Sequence, residues 1–74
     1  MQKVVFKAKY AAVKEVPNPA RTFYDLWQWN PMKSKWVRVA SGSGFGDLAV
    51  ATREATNLSN EIDAMFKNNV PTAI

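Results

Sequence analysis

The chain has 74 residues, with ten Lys/Arg against six Asp/Glu, no cysteine and no histidine, for a formal charge of +4. That length sets one domain, and the missing cysteines exclude a disulfide framework or thiolate metal site. Without histidine the commonest general base and metal ligand are gone, while a pI near 9.7 favours polyanionic partners.

The first residues, MQKVVFKAKYAAV, lack the uninterrupted apolar run of a signal peptide, because Lys7 and Lys9 break it. No stretch approaches the ~18–20 apolar residues of a membrane span. The expectation is a soluble intracellular protein, of cytoplasm or nucleoid, with no membrane partner.

Residues 3–14 alternate and predict a first strand, with a helix as the competing reading because alanine and lysine favour helices. Val4, Phe6, Ala8, Tyr10 and Ala12 form the expected core side. Val5, Lys7, Lys9, Ala11 and Val13 form the outer side. Val16-Pro17-Asn18-Pro19-Ala20 then makes a loop, since two prolines remove two ladder donors.

The stretch from Thr22 to Ala40 predicts a hairpin, with strands at 22–29 and 36–41 around the turn Asn30-Pro31-Met32-Lys33-Ser34-Lys35. It holds all three tryptophans. Side chains alternate between faces with a period of two. Tyr24, Leu26, Val37 and Val39 make the core face. Phe23, Asp25, Trp27 and Trp29 share the opposite face of the first strand, and Trp36 and Arg38 that of the second.

Ser41-Gly42-Ser43-Gly44-Phe45-Gly46 lacks the Gly-Lys-Ser/Thr ending of a phosphate-binding loop and reads as a hairpin loop, with Phe45 a possible aromatic contact. Residues 47–51 predict a fourth strand, with Leu48 and Val50 inward. Thr52 suits a helix N-cap, and Ala55, Leu58, Ile62, Met65 and Phe66 form the apolar stripe of a helix over 53–68. Residues 69–74 make a loose tail, with Val70 and Ile74 as possible docking points. The predicted fold is α+β: a four-stranded antiparallel sheet followed by one C-terminal amphipathic helix (β-β-β-β-α), as a dimer.

If these registers hold, Lys7, Lys9, Trp27, Trp29, Trp36 and Arg38 share one face, with Lys33 and Lys35 at the hairpin tip. Indoles beside cations suit single-stranded nucleic acid: bases stack on rings while Lys and Arg neutralise phosphates. The bland alternative is that the indoles are buried against a second subunit. The carboxylates Glu15, Asp25, Asp47, Glu54, Glu61 and Asp63 have no convergent spacing, and Ser41 and Ser43 have no histidine to activate them. Asp25 is the one acid on the outer face and balances a cation there. The expectation is a non-enzymatic protein without metal or cofactor.

Tyr24-Asp25-Leu26-Trp27-Gln28-Trp29, a polar turn, and Gly46-Asp47-Leu48-Ala49-Val50-Ala51-Thr52 opening a helix together resemble the positive cofactor four group. These are small single-stranded DNA-binding proteins related in fold to the plant Whirly proteins. The resemblance implies a homodimer whose curved sheets hold unpaired DNA. Where that family has a Lys-Gly step, this chain has Phe45-Gly46-Asp47. Asn30-Pro31 through Lys35, with Ala51-Thr52-Arg53-Glu54-Ala55, is similar to the arm-site DNA-binding domains of tyrosine recombinases. That similarity implies a sheet inserted into a duplex major groove. A third reading is a protein-interaction module or inhibitor of a larger machine, because tryptophan and arginine also anchor protein interfaces.

Overall fold

The computed structural model describes residues 3–39 and 44–74. Its strands are β1 (Lys3–Lys7), β2 (Ala11–Val16), β3 (Phe23–Asn30) and β4 (Lys35–Arg38), followed by the helix α1 (Leu48–Met65). The strands form one antiparallel sheet in the order β1-β2-β3-β4. The α+β class and β-β-β-β-α order are as expected, but two of the expected strands are drawn differently.

The single strand expected over 3–14 is a hairpin. The chain turns at Ala8, Lys9 and Tyr10, and the Ala8 amide donates to the Ala11 carbonyl at 2.8 Å. The Tyr10 amide leaves the ladder and donates to Ser59 Oγ of α1 at 2.9 Å. No Gly, Pro, Asn or Asp marks this turn, so the alternation runs through it unbroken on paper. A register shift between Val4 and Phe6 adds a bulge. The face assignment changes accordingly. Ala11 and Val13, expected outside, are fully buried, whereas Val4, expected in the core, is exposed.

The strand expected over 47–51 is the first turn of α1. Asp47, not Thr52, is the N-cap: it is extended (φ −134°, ψ 119°), and its carboxylate accepts from the Ala49 amide at 2.8 Å. This satisfies one of the amides that a helix start leaves without an intrahelical partner. Leu48 is exposed rather than inward. The buried stripe is Ala51, Ala55, Ser59 and Ile62. Met65, assigned to the stripe by spacing, is 69% exposed. The helix ends at Met65 with Phe66 as its C-cap, short of the expected residue 68, and the Phe66 amide donates to the Ile62 carbonyl at 2.8 Å.

Two small residues, Ala51 and Ala55, let α1 lie close on β2 and β3, where they pack with Ala11, Val13 and Leu26. Tyr24 and Val39 join that cluster from the face expected to be core. Phe45 joins it too, bridged to Tyr24 by amide–carbonyl bonds of 2.8 and 3.0 Å. A second cluster of Tyr10, Trp29 and Ile62 closes one end of the sheet, with Trp36, Leu58 and Phe66 around it. The β3–β4 turn is held by Asn30, whose Oδ1 accepts from the amides of Met32 and Lys33. The expected end of the last hairpin strand at Ala40 and Ser41, and the Gly42–Ser43 part of the loop, lie outside the described residues.

Candidate nucleic-acid interface

Cross-strand partners share a face, so register builds the surface that α1 leaves uncovered. Lys7 pairs with Ala12, Ala12 with Trp27, and Trp27 with Arg38. One row across all four strands therefore reads cation, small residue, indole, cation. At a strand spacing of ~4.8 Å the outer positions stand roughly 14 Å apart. Ala12 is fully buried beside the indole. The next row places Val4, Lys14 and Asp25 together, and the one beyond it Val16 and Phe23.

Trp27 is half-buried at the centre of this surface. The Lys14 ammonium lies over its ring, 3.9 Å from the centroid. Attraction between a cation and an indole face of this kind contributes about 0.5–1 kcal/mol at exposed sites. Trp27 Nε1 is buried and has no hydrogen-bond partner among the described residues. Further along β3, the Arg21 guanidinium sits 5.4 Å from the ring centre of Phe23, which is also half-buried. Asp25 is 5% exposed. Its carboxylate accepts from the Gly44 amide at 3.2 Å and lies 3.7 Å from Arg38 Nη1. The expected balancing of Asp25 by a cation is thus met by Arg38.

No family model, curated protein or solved structure matches the chain. The site therefore stands on its own geometry.

That geometry divides the residues singled out from sequence. Lys7, Trp27 and Arg38 come together in one row. Trp29 does not stay open: it is 2% exposed, packed on Tyr10 and Ile62, and its Nε1 donates to Asn69 Oδ1 at 2.7 Å. A ring so enclosed has no face for a base, which corrects its assignment as a stacking residue. Trp36 is half-buried and meets Trp29 edge-on, with ring centres 5.7 Å apart. Its Nε1 donates to the Thr72 carbonyl at 2.9 Å. The expected loose tail is therefore docked, although Val70, proposed as a docking point, is 82% exposed.

Lys9 also leaves this face. It lies in the β1–β2 turn, bonded to Asp63 of α1 at 3.2 Å and to the Lys67 carbonyl at 3.4 Å. The hydrogen bond to Asp63, then the contact with Tyr10, raise its pKa above the ordinary lysine value. Lys33 and Lys35 are exposed, in the β3–β4 turn and at the start of β4. Lys35 pairs with Asn30, beyond the Trp29–Trp36 pair, so neither lysine joins the row through Trp27.

Lys14, Arg21 and Phe23 were not singled out from sequence. Lys14 appears on this face only once the turn at Ala8–Tyr10 is recognised, because the turn brings β2 back alongside β1. Phe23 shares the parity of Trp27 along β3, and that parity was the available signal.

Proposed function

We propose that this protein binds single-stranded nucleic acid, most readily DNA, without catalysis, through the sheet face opposite α1. The observation that carries the reading is the row Lys7–Ala12–Trp27–Arg38 with the Lys14 ammonium over the indole. Trp27 supplies a stacking surface once the Lys14 ammonium moves from over its ring to a phosphate, worth about 1–3 kcal/mol per base in such sites. Lys7, Lys14 and Arg38 neutralise the phosphates on either side, and Phe23 with Arg21 extends the track along β3. Duplex DNA keeps its base faces stacked inside, so it would engage the cations and leave the indole unused.

The homodimer expected from sequence belongs to this proposal only through another surface. Face-to-face pairing of two copies would set Lys7, Lys14 and Arg38 against their counterparts. An intracellular setting, where unpaired strands arise, is part of the same reading. Among the described residues no helix is long and apolar enough to cross a membrane.

The test is a tryptophan-fluorescence titration with oligo-dT and with a duplex of equal length at low salt. Quenching by oligo-dT well beyond that by duplex is the expected outcome. No quenching at micromolar protein overturns the proposal. A stronger response to the duplex moves the function to duplex binding, and binding to neither leaves the face to a protein partner.

A further inference from the structure

The end of the sheet beyond Trp27 is occupied by the chain's own tail. Trp29 and Trp36 pair across β3 and β4, two residues along from the Trp27–Arg38 pair and so roughly 7 Å away. Both indole N–H groups donate to tail oxygens: Trp29 to the Asn69 side chain and Trp36 to the Thr72 carbonyl. Tyr10 adds a third tie, its hydroxyl lying 2.7 Å from the Phe66 carbonyl and 2.5 Å from that of Asn69. This segment lies outside helix and strand, and Val70, Thr72 and Ala73 are exposed. Pro71 and Ile74 are half-buried, and the bonds that tie the segment down run to carbonyl-type oxygens that a ligand can offer instead.

We propose that residues 69–74 occupy in cis a second stacking subsite, formed by the Trp36 ring beside the Nε1 edge of Trp29, and yield it to unpaired bases that enter from Trp27. The inference rests on the single-strand reading above. Base carbonyls, such as the two of thymine, present the same acceptor to an indole N–H that Asn69 and Thr72 present now. Displacing the tail opens Trp36 and the Nε1 edge of Trp29. The bound strand then gains contacts that the unliganded protein keeps covered, and local opening of a weakly packed segment is the step required.

The test follows the three indole N–H signals of the ¹⁵N-labelled full chain by NMR during titration with oligo-dT. The expected result is that the Trp29 and Trp36 signals move together with that of Trp27. The amide signals of residues 69–74 shift toward random-coil positions at the same time. Movement of the Trp27 signal alone, with the tail unchanged, overturns the strap but leaves the single-strand reading in place. No movement of any signal overturns both. In a second arm, Asn69→Ala removes the bond to Trp29 while keeping the chain intact. It is expected to increase acrylamide quenching without ligand and to tighten oligo-dT binding several-fold. Unchanged or weaker binding, with the helical circular dichroism preserved, counts against the strap.

Discussion

Trp27 and Trp29 are two residues apart on one strand and have different surroundings. Trp27 sits half-buried among cations, whereas Trp29 is sealed between Tyr10 and Ile62. Truncating each should separate binding from stability. Trp27→Ala is expected to weaken oligo-dT binding by about 1–3 kcal/mol and to leave the unfolding midpoint near wild type. Trp29→Ala is expected to cost about 3–5 kcal/mol of stability, nearly all that a core of this size supplies. Urea unfolding beside fluorescence titration reads both numbers. The reverse pattern would mean that the faces have been assigned the wrong way round.

Lys9 gives a further residue-scale prediction. Its bond to Asp63 holds the charged form, so its pKa lies above the ordinary lysine value. A raised lysine value stabilises the fold fully below the unfolded-state pKa, and the contribution is lost as pH rises through the folded-state value. Asp63→Asn should bring the Lys9 titration, followed by NMR of its side chain, back down. An unchanged Lys9 titration would show that the ion pair does not persist in solution.

Among the elements, α1 depends on its N-cap and on two alanines. Asp47→Ala removes the bond to the Ala49 amide and is expected to cost about 1 kcal/mol, read as a lower thermal midpoint with native helicity. Ala55 is fully buried against the sheet. Ala55→Leu should cost about 1–3 kcal/mol by forcing helix and sheet apart. A neutral result would mean that the helix packs more loosely than its alanine face implies.

These two positions also show what was legible beforehand. The central hairpin could be read because its alternation is strong and its turn carries asparagine and proline. The start of α1 could not, because Leu48-Ala49-Val50-Ala51 satisfies period two over so short a run, and only the Asp47 cap decides for helix. The β1–β2 turn was hidden for the opposite reason: Ala8-Lys9-Tyr10 has no turn chemistry, and contact with Ser59, 49 residues away, completes it. The count of four strands therefore agrees with expectation, although one expected strand is two and another is helix. That Trp27, Arg38 and Lys7 share one sheet face was legible. The placement of Trp29 and Lys9 was not, because their surroundings are set by α1 and the tail that follows it.

For the whole molecule, the sign and placement of charge decide between a nucleic acid and a protein partner. Each phosphate contacted on a single strand contributes about −0.7 to the slope of log affinity against log salt. Contacts from Lys7, Lys14 and Arg38 would give a slope of about −2. An indole-anchored protein interface would respond much less.

A charge substitution makes the slope local. Lys14→Ala removes the ammonium over Trp27 and should lower the slope's magnitude by about 0.7. Lys9→Ala removes the same unit of net charge, but from a lysine bound to α1, so the slope should hold while stability falls slightly. Equal losses from both variants would mean that oligo-dT responds to overall charge rather than to this face. The sheet row would then have no special claim on the ligand.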